Sequence, residues 1–455
     1  MSTPAVVIAA PASGSGKTTV ATGLMGALRQ AGHRVAPFKV GPDFIDPGYH
    51  GLAAGRPSRN LDPVLLGEQL IGPLYRHGSD DADIAVVEGV MGLFDGRISD
   101  AAEAGTARGS TAHVAALLGA PVVLVVDARG QSHSVAALLH GFATFDSSVR
   151  IAGVILNRVG SPRHEAVLRQ ACEQAGVPVL GSLPRHDELS VPSRHLGLVT
   201  AIEHGARAES AIDAMTALVA RHVDLAAVMA AAGSGVPDEP WTPAVAPVTT
   251  PVTVALAAGR AFTFGYAEHV ELLRDAGADV VCFDPLRDPL PAGTDALVLP
   301  GGFPEEFGAE LSANETVRQQ ITALAARGAP IHAECAGLTY LVDDLDGAPM
   351  CGVISGSATF TDKLTLGYRD AVALVDSPLH HTGDRVVGHE FHRTTVHFTG
   401  PVQPAWRLRV QGGRVVDDGV VQNRVHAAYL HTHPAARPDA IAGFVAAAAT
   451  SKLAG

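Results

Sequence analysis

Short apolar runs, mostly β-branched, alternate with longer amphipathic stretches along most of the chain. "AVVIAA" predicts a buried strand, and "GKTTVATGLMGALRQAG" predicts a helix ended by Gly32. "RVAPFKV", "DIAVVEG", "PVVLVVDA" and "IAGVILNRV" predict further strands, with helical patterns such as "SPRHEAVLRQACEQAG" between them. Continuous apolar strands alternating with helices predict a parallel sheet covered on both faces. The rhythm stops near residue 230, where "AAGSGVPDEPWTPAVAPVTTP" is rich in Pro, Gly and Ala and reads as a linker. It resumes with the strand "VTVALAAG", the helix "GYAEHVELLRDAG", and the strands "DVVCFDPL" and "DALVLPGG". A helix around "ETVRQQITALAARG" and the segment "APIHAECAG" follow, and from about residue 345 the pattern turns to strands and loops. The expected division is an α/β domain over 1–230, a linker over 231–251 and a second α/β domain over 252–455.

Composition changes this picture little but removes some functions. At 455 residues the chain is too long for one ordinary core, in line with two domains. A net charge of −13 argues against non-specific nucleic-acid binding, which needs a basic field. No apolar run reaches membrane-spanning length, and the N-terminus lacks the basic region of a signal peptide, so a cytoplasmic location is expected. Cys172, Cys282, Cys335 and Cys351 form no CxxC pair, which suggests neither a zinc site nor a disulfide framework. Cys172 and Cys282 are expected in the core, and Cys351 is expected to be structural.

The loop after the first strand carries the first chemistry. The segment Pro11-Ala12-Ser13-Gly14-Ser15-Gly16-Lys17-Thr18 departs from a strict P-loop only in Pro11, which stands where the first glycine is usual. Gly14 and Gly16 allow backbone N–H groups to approach phosphate, and the following helix presents its positive end. Ser13 to Thr19 are therefore the expected ATP contacts, with Lys17 on the outer phosphates and Thr18 on Mg²⁺. Carboxylates for the metal come from later strand ends: Glu88 closes "DIAVVE", and "FKVGPDFIDPGYH" offers Lys39, Asp43 and Asp46. Asp95 follows Glu88 in the next loop.

The second chemistry is a nucleophile. "HAECAGLTY" places Cys335 between an apolar strand and a helix, with small neighbours that suit a sharp elbow. "LPGGFPEEF" supplies Gly301 and Gly302 as candidate oxyanion donors, and "YLHTH" supplies His431 and His433 as candidate bases.

Together, "APASGSGKTTV", "FKVGPDFIDPGYH", "RNLD", "VVEGVMGLFDG", "LPGGFPE", "HAECAG", "GHEFHRT" and "YLHTH", in that order, resemble the cobyrinate or hydrogenobyrinate a,c-diamide synthase family. The resemblance covers nearly the whole chain. It implies a dethiobiotin-synthetase-like P-loop domain followed by a class I glutamine amidotransferase-like domain. It also implies a ligase of cobalamin biosynthesis that uses Mg²⁺, ATP and L-glutamine. The family's chemistry makes an acyl phosphate on a carboxylate and attacks it with ammonia released from glutamine at Cys335, with His431 as base. On that footing Lys39 and Asp46 lie near the reacting carboxylate, Thr18, Asp43 and Glu88 hold the metal, and Asp95 orients substrate or metal. The expected partner is a small tetrapyrrole, with Arg56, Arg59 and Arg393 as candidate contacts. A homodimer stays an open option, and neither nucleic acid nor membrane is expected. The chain departs from the class I pattern in having His433 where a glutamate usually follows the catalytic histidine by two. Either a dyad suffices or another acid orients the imidazole. Cobyrinate and hydrogenobyrinate are not separated by the motifs; the GC-rich style of the composition tilts toward hydrogenobyrinate. A nickel-sirohydrochlorin amidase and a P-loop ATPase switch with an inactive amidotransferase domain are the alternatives.

Overall fold

The computed structural model describes residues 2–98, 107–185 and 200–454. The chain forms two compact units, Met1–Thr242 and Pro243–Gly455. In the first unit the strands β1 (Ala5–Ala9), β2 (Val35–Val40), β3 (Arg59–Leu61), β4 (Ile84–Glu88), β5 (Val122–Asp127), β6 (Ile151–Val159) and β7 (Val179–Pro184) form one sheet, ordered β3-β2-β4-β1-β5-β6-β7. All its pairings are parallel. Every residue of β1, β2 and β4 is buried, as expected of strands covered on both faces. The order reverses around β1, so loops at the carboxyl ends of β1, β2 and β4 open on one crevice. Helix α1 (Lys17–Gln30) starts directly from the glycine-rich loop, and α2 (Asp46–Ala54) follows β2.

The segment read as a linker divides in two. Gly233 bridges to Ala5, Gly235 N–H donates to the Leu118 carbonyl and Trp241 is buried, so its first part packs on the first unit. Val248 N–H donates instead to the Ala276 carbonyl, in the second unit.

The second unit holds a sheet of β8 (Val252–Ala257), β9 (Ala278–Phe283), β10 (Ala296–Leu299), β11 (Ile331–Glu334), β18 (Val420–Gln422) and β19 (Val425–Ala428), ordered β18-β19-β11-β10-β8-β9. A second, mainly antiparallel sheet is built on the long hairpin of β14 (Gly356–Ala373) and β15 (Arg385–Phe398). The short β12 (Asp344–Leu345), β13 (Ala348–Pro349), β16 (Trp406–Arg409), β17 (Val415–Asp418) and β20 (His431–Thr432) complete it. One expectation fails. Cys282 is exposed on β9, the edge strand of its sheet, whereas Cys172, Cys335 and Cys351 are buried.

Candidate functional site

The cradle follows from the backbone. Gly14 and Gly16 adopt φ of 79° and 98°, a region closed to most side chains. A Cβ on Gly16 would also lie 2.2 Å from Asn157 Nδ2, which donates to the Ser15 carbonyl at 2.9 Å. Ser15 is buried and its hydroxyl bonds the Ala12 carbonyl, while Ser13 stays exposed and Thr19 lies in the first turn of α1. Lys17 reaches the Met91 carbonyl at 2.6 Å. Burial, then the nearby Lys39, lowers its pKa.

Beside the cradle the three loops bring a charged cluster together. Lys39 Nζ lies 2.6 Å from Asp46, 3.2 Å from Glu88 and 3.9 Å from Asp43. Thr18 Oγ1 donates to Glu88 at 2.6 Å and lies 3.5 Å from Asp46. Burial opposes the charge on Glu88, yet Lys39, His50 and Thr18 hold its pKa down at about 2. Burial and the carboxylates of Asp43 and Glu88 push Asp46 well above the usual range, against the pull of Lys39. Burial works against Lys39 too, but its three carboxylates outweigh it and keep the ammonium. Asp43 spends Oδ1 on the backbone N–H groups of Ile45 and Asp46, fixing the start of α2. Asp95 accepts from Gly92 N at 2.9 Å and shapes its own loop.

Sequence spacing assigns no role to His50, the last residue of "FKVGPDFIDPGYH", yet it joins the cluster. Its Nε2 lies 2.6 Å from Glu88, fully buried, on the turn of α2 that faces β4. Arg56 donates to the carbonyls of Gly78 and Asp80.

In the second unit Cys335 is the elbow expected. It has φ of 50°, directly follows β11 and precedes the helix Ala336–Leu341. Such strain in a non-glycine residue is typical where a nucleophile is presented. Its sulfur receives the backbone N–H groups of Gly302 and Ala336 and lies 3.8 Å from the Phe391 carbonyl of β15. Burial, then the charge of Glu305, raises its pKa, so the resting sulfur is a thiol. Gly301 serves the histidine: a Cβ there would come within 2.3 Å of His431 Cε1. His431 is fully buried, on β20, and His389 of β15 lies opposite it. His433 stacks on Tyr266 with ring centroids 4.1 Å apart, and its Nδ1 accepts from Ala435 N.

Glu334 was likewise missed. Its carboxylate lies 3.5 Å from His431 Nδ1 and 3.4 Å from His332 Nε2, and takes both the N–H and the hydroxyl of Thr432 at 3.1 Å. Its sequence signal is its place beside the nucleophile, whereas the class I pattern puts the acid two residues after the histidine.

Residues 6–199 match the family model of the CobQ/CobB/MinD/ParA nucleotide binding domain. Residues 253–439 match that of the CobB/CobQ-like glutamine amidotransferase domain. A P-loop nucleotide-binding unit joined to an amidotransferase unit makes this chain a glutamine-dependent amidotransferase ligase. A hydrogenobyrinate a,c-diamide synthase of Mycobacterium bovis is 72% identical over 99% of both chains. One of Streptomyces coelicolor is 53% identical over 98% of both. A cobyrinate a,c-diamide synthase of Synechococcus is 41% identical over 97% of this chain and 98% of its own. The chain belongs to the hydrogenobyrinate and cobyrinate a,c-diamide synthase family. Among the described residues no helix is long and apolar enough to cross a membrane.

Proposed function

We propose that the chain amidates the a and c carboxylates of hydrogenobyrinic acid, in the cytoplasm, with ATP and glutamine. One observation carries the choice of the cobalt-free substrate. The relatives at 72% and 53% identity bear the hydrogenobyrinate name, while the Synechococcus relative at 41% bears the cobyrinate name.

A carboxylate resists ammonia because its oxygen leaves poorly. Phosphoryl transfer from ATP to that oxygen makes an acyl phosphate, whose leaving group is phosphate. Ammonia then attacks the carbonyl carbon, phosphate departs and the amide remains. In this reading Ser13 to Thr19 hold the triphosphate and Lys17 meets its outer oxygens. Lys39, already paired to Asp46, offers its ammonium to the transferring phosphoryl group or the substrate carboxylate.

The cluster fits Mg²⁺. Its donors are oxygens, and burial with crowded carboxylates leaves Asp46 hard to ionise, a condition a further cation would relieve. Thr18, Glu88 and Asp46 would hold the ion, with Asp43 behind them because its Oδ1 is spent on α2. When bound, Mg²⁺ would neutralise charge on the phosphates.

At the second site Cys335 attacks the glutamine side-chain amide as His431 takes the thiol proton. The oxyanion falls to Gly302 and Ala336 N–H. His431 then protonates the departing ammonia, and water hydrolyses the γ-glutamyl thioester. His433 is spent on stacking and capping, which favours His431 as the base.

The test supplies Mg²⁺-ATP and glutamine with either hydrogenobyrinic or cobyrinic acid and counts amides by mass spectrometry. Diamide from the cobalt-free acid is expected. Diamide from cobyrinic acid alone would overturn the substrate choice, and no amide from either would overturn the reaction.

A further inference from the structure

We propose that Glu334 is the third member of the glutaminase site: a positioning residue that orients His431, supplied from the strand that carries the nucleophile. The inference rests on the reading of Cys335 and His431 just given. It does not depend on which corrinoid is amidated.

The geometry sets Glu334 apart from the other acids near the site. Successive residues of a strand point to opposite faces, so Glu334, next to Cys335, should face away from it. The elbow at Cys335 breaks the strand there, and Thr432 of β20 hydrogen-bonds to Glu334 at the end of β11. The Glu334 carboxylate therefore meets the far edge of the imidazole: Oε2 faces His431 Nδ1 at 3.5 Å. Its other oxygen is fixed three times over, by His332 Nε2 at 3.4 Å and by Thr432 N and Oγ1 at 3.1 Å each. Two of these bonds come from the residue immediately after His431. The same carboxylate thus fixes both the backbone that carries the imidazole and the ring.

The chemistry needs such a group. A histidine that takes a proton at one nitrogen must keep its proton on the other. A carboxylate at Nδ1 holds that tautomer and stabilises the imidazolium formed when the thiol is deprotonated. Cys335 needs this help, because burial and the Glu305 charge keep its proton on. Burial alone would also favour a protonated Glu334, but its bonds to His332 and His431 hold the carboxyl well below the usual range. Glu305 acts on the sulfur, and Asp418 binds the backbone of Tyr429 and Leu430. The missing acid after His431 is thus replaced from the other side of the ring.

The experiment compares the full chain with Glu334→Gln in three assays: glutamate release, diamide formation from ammonium chloride, and the ¹⁵N spectrum of labelled histidine. Glutamine at 334 can still accept from Thr432 but brings no charge. Glutaminase kcat is expected to fall on the order of 10²-fold or more, with KM for glutamine nearly unchanged. The ammonia-dependent rate should hold within about twofold, since only the nitrogen supply is touched. The His431 ¹⁵N signals should lose the single tautomer protonated at Nδ1. Thr432→Val, which removes one bond to Glu334 but leaves the charge, should cost about tenfold or less. A Glu334→Gln protein with glutaminase kcat within about threefold of the parent would overturn the role. So would an unchanged His431 tautomer. If the parent itself released no Cys335-dependent glutamate, the failure would lie in the glutaminase reading instead.

Discussion

Lys39 shows how much one residue decides. It sits 3% exposed among three carboxylates, so its ammonium is what lets Glu88 and Asp46 share a buried crevice. Lys39→Met should leave that negative charge uncompensated and cost on the order of 3–5 kcal/mol, seen as a lower melting temperature of the first unit. It should also abolish amidation with either nitrogen source. An unchanged melting temperature would mean that the carboxylates find other partners. Gly301 is the counterpart in the second unit. Gly301→Ala would drive a methyl group to 2.3 Å from His431 Cε1, and His431, at 0% exposure, has no room to retreat. Glutamate release should fall at least tenfold, while ammonia-dependent amidation stays close to the parent. Equal glutaminase rates would show that the imidazole can move without loss.

At the scale of elements, the loop Tyr429–Leu430 that delivers His431 is tied down by Asp418 at the end of β17. Its Oδ2 accepts from Tyr429 N at 3.1 Å and from Leu430 N at 3.2 Å. Burial, then the Glu390 charge, raises Asp418 to about 6, above the value near 4 of an unfolded chain. The folded chain therefore holds a proton between about pH 4 and 6 that the unfolded chain releases. The stability gained from that proton is complete below pH 4 and is lost as pH rises through 6. The change is on the order of 3 kcal/mol. Asp418→Asn has no such titration, so denaturant midpoints should show the variant gaining on the parent from pH 4.5 to pH 7. Parallel curves would remove Asp418 as the cause.

Elements also show what could be read from sequence. The helix read in "SPRHEAVLRQACEQAG" is Pro162–Gln174, and that in "GYAEHVELLRDAG" is Ala267–Asp275, because caps and apolar spacing are local signals. The P-loop was legible despite Pro11, since Gly14, Gly16 and the helix after them do the physical work. Glu334 and His50 were not legible as partners. Each meets its neighbour only through tertiary packing, one across β11 and β20, the other by the return of α2 to β4. Cys282 misled for a related reason: whether a strand lies at an edge depends on sheet order, which its own residues do not encode.

The whole molecule joins two chemistries that its sequence keeps in separate units, Met1–Thr242 and Pro243–Gly455. Every residue proposed above for the nucleotide site lies in the first, and Cys335, His431 and Glu334 lie in the second. Each unit should therefore be silenced alone. Cys335→Ser should remove glutamate release and glutamine-dependent amidation while ammonia still yields the diamide, because in the proposed mechanism the acyl phosphate does not involve the thiol. Lys17→Ala should do the reverse. On the proposed reading it removes a cation from the outer phosphates, so amidation should fall by at least 10²-fold with glutamine or ammonia alike. Glutamate release should persist. If Lys17→Ala also abolished glutamate release in the absence of nucleotide, the two active sites could not be independent in their resting states. If Cys335→Ser lost ammonia-dependent amidation as well, the cysteine would have to serve the first unit's chemistry, and the assignment of the two reactions to two units would fall.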